Sequence, residues 1–186
     1  MAQPLPISIA LYSEIVYDLN ALDGLDPKSF IYMQKIKRIE EKAIELKRHD
    51  IAKGFAAFGG VAAAKREIQQ MHQAYSNAMQ YDSDIVIKSN YAVSMTKCNL
   101  NAEAFIYSKK LYETNEGNVP LLHVLAGSSF ELGDEVNFLL YARQYKKLTR
   151  KDHDCWALYI KEINEIQSLN RACAAATARS CANAVC

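Results

Sequence analysis

The chain has 186 residues, of which 50% are hydrophobic, so it can bury a substantial core. Its 22 Lys and Arg residues balance 21 Asp and Glu residues, and the net charge of +1 argues against nucleic acid or an anionic membrane as a partner. No apolar run approaches the roughly 20 residues of a membrane-spanning helix, and the N-terminus lacks the basic start of a secretory signal, so we expect a soluble, cytoplasmic protein.

The N-terminal segment, residues 1–50, predicts two helices that pack on the rest of the chain. Apolar residues recur at helical spacing over residues 7–22. Asp26 followed by Pro27 predicts the cap and the first residue of a second, longer helix. That helix carries charges of both signs, which indicates a solvated outer face.

Glycines punctuate the next part of the chain. Gly54 and the pair Gly59–Gly60 predict a short helix over residues 51–58 that turns into a longer helix over residues 61–81.

An internal repeat follows, in which the segment 105–110 matches the segment 139–144 in residue class. The two segments are 34 residues apart, and Ala92 pairs with Ala126 at the same offset. The pattern predicts two helix pairs, with first helices over 85–97 and 119–132 and second helices over 100–114 and 134–149. A repeated pair of helices is typical of stacked hairpins, since one hairpin alone cannot bury its apolar face.

The repeat resembles the tetratricopeptide repeat. Three residues carry this resemblance. Ala92 is a small residue in the first helix, Asn99 is a turn residue seven positions later, and Ala104 is a small residue five positions after Asn99. In the next unit, Phe138 stands where the family usually has a small residue. Trp156 and Tyr159 match large first-helix residues and predict a closing helix over residues 154–166.

The resemblance implies an all-α fold of antiparallel helix hairpins stacked as a short right-handed α-solenoid over residues 51–170. It also implies a concave groove that is lined by the first helices and holds a peptide segment of another protein. We expect these lining residues: Ser89, Asn90, Val93, Thr96, Lys97, His123, Gly127, Phe130 and Glu131.

The function expected from this resemblance is that of a non-catalytic scaffold or adaptor. One alternative is a secretion-type or assembly chaperone. A second is a regulator that touches nucleic acid through basic residues on the convex second helices. Those residues are Lys109, Lys110, Arg143, Lys146, Lys147, Arg150 and Lys151.

Side chains suited to chemistry do not form a recognisable motif. The densest cluster, residues 152–155, holds Asp, His, Asp and Cys in succession, and consecutive helical residues point about 100° apart and rarely converge on one ion. Asp152 is instead expected to cap a helix. No nucleotide-binding loop or nucleophile motif is present, so we expect no metal, no cofactor and no catalytic activity.

The tail, residues 171–186, is rich in Ala and Cys, lacks large apolar anchors and is expected to be frayed. Its terminal Cys186 leaves open a thiol-linked homodimer.

Overall fold

The computed structural model describes residues 6–183 and the side chains of residues 6–170. The described residues form nine α-helices and no strand. The helices are α1 (Ile7–Asn20), α2 (Phe30–His49), α3 (Ile51–Ala64), α4 (Ile68–Tyr81), α5 (Ile85–Lys97), α6 (Asn101–Tyr112), α7 (Val119–Glu131), α8 (Glu135–Thr149) and α9 (Trp156–Asn183).

Consecutive helices pack on one another in chain order, from α1 and α2 to α7 and α8. The odd-numbered helices α1, α3, α5 and α7 also pack successively on each other and form one layer. The all-α helical-repeat fold expected from the sequence is therefore confirmed.

Three turns between paired helices have the same backbone geometry and recur at nearly even spacing along the chain. Arg66, Asn99 and Gly133 have φ values of 59°, 62° and 70°. In each turn the next residue donates its N–H to a carbonyl five positions earlier: Glu67 to Ala62, Leu100 to Met95 and Asp134 to Ser129. This bond satisfies a carbonyl that the helix end leaves free. The repeat thus extends upstream to α3 and α4.

The glycine pair does not break the helix, and this sequence prediction is wrong. Helix α3 continues through Gly59 and Gly60 and ends at Ala64. Gly59 stands one repeat before Ala92, and both are buried, as is Ala126 in the following unit. A Cβ atom on Gly59 would lie 2.5 Å from the Tyr75 ring, so the missing side chain allows α3 and α4 to approach closely.

The second helix begins later than Asp26–Pro27 predicted. It starts at Phe30, where the Ser29 hydroxyl accepts a hydrogen bond from the Tyr32 N–H at 3.2 Å. Asp26 instead accepts from the Lys28 N–H at 2.9 Å within the preceding turn. A hydroxyl that accepts from the third residue of the helix satisfies one of its unpaired N–H groups, so Ser29 sets the boundary.

Helix α9 closes the apolar end of the stack. The ring of Phe138 on α8 lies 6.0 Å from Trp156 and 5.1 Å from Tyr159, measured between centroids. Phe138 occupies the position of Ala104 in the previous unit. Its large side chain packs against the closing helix.

The closing helix starts at Trp156, slightly later than predicted, and continues past residue 166. It includes residues 171–183 of the tail that was expected to fray. Residues 184–186 lie outside the described residues, and with them Cys186 and the thiol link considered for it.

None of the helices that the structure describes combines the length and apolar character needed to cross a bilayer.

Candidate functional site

A cavity of about 600 Å³, which we call the central cavity, lies along the odd-numbered layer. Its walls come from α1, α3 and α5, and one end is formed by the start of α7 with Tyr145 and Asp154. The half-buried apolar side chains in this lining include Val16, Leu19, Val93 and Val119.

Four of the five groove residues predicted on α5 line the central cavity: Asn90, Val93, Thr96 and Lys97. Ser89 does not. It is 2% exposed, and its hydroxyl donates to the Val86 carbonyl at 3.1 Å within the same helix.

The four groove residues predicted on α7 lie at the central cavity, at a smaller pocket beside it, and against helix α8. His123 lines the central cavity and also a smaller adjoining pocket of about 320 Å³. Gly127 and Glu131 line only the smaller pocket. Phe130 lines neither cavity and packs on Phe138 with 5.4 Å between ring centroids, so the structure does not bring it together with the other predicted groove residues. The side chain serves the interface between α7 and α8.

Helix α1 supplies one wall of the cavity, which sequence analysis missed. The Asn90 amide donates to the Tyr12 hydroxyl at 2.8 Å. The Lys97 ammonium lies 3.1 Å from an Asp23 carboxylate oxygen and 3.3 Å from the Asn20 side-chain oxygen. Polar groups of α5 that were expected to face a partner are therefore partly engaged by α1 and the residues that follow it. The apolar spacing of α1 indicated a buried face but not the helix that covers it.

Tyr75 supports the floor of the cavity from α4. Its hydroxyl lies 2.9 Å from the Ser94 hydroxyl and donates to the Asn90 carbonyl at 3.3 Å. Burial raises the pKa of both Tyr75 and Tyr12, and it raises that of Tyr12 to about 12. Both phenols are therefore protonated hydrogen-bonding groups at neutral pH.

The imidazole rings of His123 and His153 lie against each other at one end of the cavity, where His123 is part of the lining. The rings of His123 and His153 lie 4.5 Å apart between centroids. Nδ1 of His153 accepts from the Cys155 N–H at 3.2 Å, so the ring proton belongs on Nε2, which donates to the His123 carbonyl at 3.0 Å. His153 is 3% exposed, and it lies 3.6 Å from the Cβ position of Gly127. The small residue at position 127 thus accommodates His153.

The surroundings of both histidines disfavour the charged form, so the pKa of each is lowered. Burial lowers the pKa of His123, an effect that the Asp154 carboxylate opposes. Burial also lowers the pKa of His153, and a charge on His123 would lower it further. Since the two ring centroids are only 4.5 Å apart, protonation of one ring disfavours protonation of the other.

The side chains of residues 152–155 make contacts within the fold rather than converging on one site. Asp152 was expected to cap a helix, but α9 begins later, at Trp156. The Asp152 carboxylate lies 2.8 Å from the Lys146 ammonium instead. Burial raises the pKa of the Cys155 thiol to about 11, so this thiol lacks the activated thiolate that a cysteine nucleophile requires. Among the residues with described side chains, no three His, Cys, Asp or Glu groups are placed to hold one metal ion.

The basic residues predicted on the second helices are exposed on α6, α8 and the turn after α8. Lys146 pairs with Asp152, and Lys109 lies 5.9 Å from the centre of the Phe105 ring.

Comparison of the chain with protein-family models, with curated proteins and with solved structures finds no match.

Proposed function

We propose that this protein is a non-catalytic interaction module that holds a peptide segment of another protein in the central cavity. The observation that carries the proposal is the lining of this cavity by one helix from each of four successive hairpins. Such a layer resembles the peptide-binding face of tetratricopeptide-like solenoids. The cavity also combines an apolar wall with hydrogen-bonding groups, the arrangement typical of a site that anchors an apolar side chain and fixes its orientation.

A scaffold or adaptor fits this geometry, and so does a chaperone that shields the exposed segment of a partner before assembly. The two roles differ in what happens to the partner after release. They share the same binding step, which is the step to test first.

Thr96 offers a position for blocking the cavity. It is half-buried on α5, lines both the central cavity and the smaller pocket, and its hydroxyl bonds only to the Val93 carbonyl of its own helix. Thr96→Trp should fill the cavity without removing a contact between helices. Ile106→Trp is the matched control, because Ile106 is exposed on α6 and lines neither cavity.

The test is a selection of random displayed peptides on the full chain, followed by affinity measurements. We expect selected peptides to bind the wild type and Ile106→Trp equally, and to bind Thr96→Trp at least tenfold more weakly, a loss of about 1.4 kcal/mol. Circular dichroism should show that both variants keep their helices. Peptides that bind Thr96→Trp as tightly as the wild type would place the binding site elsewhere.

A further inference from the structure

We propose that the segment bound in the central cavity carries a basic side chain that pairs with Asp154. This inference rests on the proposed function and specifies the chemistry of the partner.

Apart from His123, the lining of the central cavity contains one more acidic side chain than basic side chains. The aspartate and lysine side chains in its lining are Asp23, Lys97 and Asp154. Lys97 and Asp23 form an ion pair at 3.1 Å, so their charges compensate one another. Asp154 forms no ion pair with any side chain that the structure describes. One negative charge therefore remains at the end of an apolar cavity.

The neighbouring histidine does not neutralise this charge. His123 lines the same end of the cavity, and burial lowers its pKa despite the opposing effect of Asp154. Because burial disfavours the charged imidazole, His123 does not compensate the Asp154 carboxylate, which is available to a cation from outside. An acidic segment would meet repulsion at this place, and a neutral one would leave the carboxylate without a partner.

The backbone that carries Asp154 is fixed on both sides. His153 is anchored to the His123 carbonyl at 3.0 Å, and the Trp156 N–H donates to the His153 carbonyl at 2.8 Å. A charged group on a backbone held in place requires less ordering on binding than one on a mobile loop. Asp154 borders both the central cavity and the smaller pocket, so it is accessible to a side chain that extends from either.

We expect Asp154 to affect mainly which peptides bind, and to affect their affinity less. Asp154 is exposed, and exposed ion pairs change affinity by roughly two- to fivefold. The apolar part of the segment supplies most of the affinity, and Asp154 selects among apolar segments by charge.

The test compares Asp154→Asn with Asp152→Asn, a matched change at a nearby position. Asp152 pairs with Lys146 and lines neither cavity, so its substitution removes the same charge from outside the site. Random displayed peptides are selected on the full-length wild type and on both variants. We expect Lys or Arg next to apolar residues to be enriched on the wild type and on Asp152→Asn, and not on Asp154→Asn.

A synthetic peptide from the wild-type selection then gives the magnitude. Replacing its basic residue with Gln should weaken binding to the wild type and Asp152→Asn by roughly two- to fivefold and leave binding to Asp154→Asn unchanged. Equal enrichment of basic residues on Asp154→Asn, or peptides without basic residues on the wild type, would overturn the inference and leave the proposed function standing. Peptides that bind the cavity-blocked Thr96→Trp as tightly as the wild type would overturn both.

Discussion

Gly59 illustrates how one residue sets the distance between two helices. Its position in the repeat is that of Ala92 and Ala126, and the Tyr75 ring lies where its side chain would be. Tyr75 cannot move aside cheaply, because it is buried and its hydroxyl is hydrogen-bonded to Ser94. Glycine in a helix is normally destabilising, so its presence here indicates a contact that outweighs the loss of helix propensity.

We expect Gly59→Ala to lower the free energy of unfolding by about 1–3 kcal/mol, because the added methyl group overpacks the interface between α3 and α4. Urea denaturation measures the change. Gly127→Ala is the control, since its Cβ would lie 3.6 Å from His153, an ordinary contact distance. That variant should be neutral or gain up to about 1 kcal/mol of helix propensity. Equal effects at the two positions would contradict the role assigned to Gly59.

Arg66 has a backbone conformation that suits glycine better than arginine. It adopts φ of 59° at the turn where the next units have Asn99 and Gly133. Arg66→Gly should raise the free energy of unfolding by about 1 kcal/mol by removing the steric cost of a Cβ atom in this conformation. Arg66→Ala removes the same charged group and keeps the Cβ atom, so it should show no such gain in thermal or urea denaturation. A gain in both variants would assign the effect to the charge.

At the scale of the element, α9 depends on a small aromatic contact for its attachment to the repeats. Trp156 and Tyr159 both pack on Phe138, and Tyr159 also donates to a Glu135 carboxylate oxygen at 2.5 Å. Most of the remaining described side chains of α9 are exposed. Among residues 156–170, whose side chains are described, the helix therefore contacts the fold mainly through its first turns.

Trp156 is the only tryptophan in the chain, so its fluorescence reports the docking of α9. Tyr159→Ala should shift its emission to the red and weaken docking by about 1–3 kcal/mol, because two aromatic contacts are lost. Leu158→Ala changes the adjacent residue, which is 54% exposed, and should leave the emission at its wild-type wavelength. An unshifted spectrum in Tyr159→Ala would show that Phe138 alone holds the helix.

At the scale of the whole molecule, the adjacent histidines His123 and His153 link stability to pH. Folding lowers the pKa of His123 and His153, so between pH ~6.5 and their lower folded values the unfolded chain binds more protons than the folded chain. Stability is therefore greatest above pH ~6.5 and falls as the pH falls, by at most about 1.4 kcal/mol per pH unit for each histidine. The lowered pKa values of Asp50 and Asp134 act only at more acidic pH, below their ordinary value of 3.8.

Urea denaturation between pH ~7.5 and ~5 tests this linkage. His123→Phe keeps a ring beside His153 and removes one titrating group, so its stability should depend less steeply on pH. His49→Asn, an exposed position on α2, should retain the wild-type dependence. A pH-independent wild type would show that the pair titrates alike in both states.

The four helices of the two clear repeat units could be predicted almost to their observed ends, because local signals define them. Asp84 and Asn118 cap α5 and α7 with their side chains, and Asn99 and Gly133 provide the positive φ that ends the preceding helices. These effects act within one turn of the helix and can be read from neighbouring residues. The same local reasoning failed at Gly59, where the contact that decides the conformation comes from another helix.

The candidate site could be predicted only in part for the same reason. Helical spacing indicated that Asn90, Val93, Thr96 and Lys97 share a face of α5. It did not indicate that Tyr12 and Asp23 of the N-terminal segment would meet that face. Nor did spacing indicate that Phe130 would pack on Phe138, since that contact depends on how α7 and α8 are rotated against each other.

The sequence by itself determined the helical class, the period of the repeat and the turns that pair the helices, because periodicity and capping are properties of short segments. The tertiary structure decided which faces enclose the central cavity, how His153 fits against Gly127, and that Asp154 borders the cavity without a charged partner among the described side chains. Those features depend on side chains that are brought together from distant parts of the chain by packing, and no local pattern specifies them.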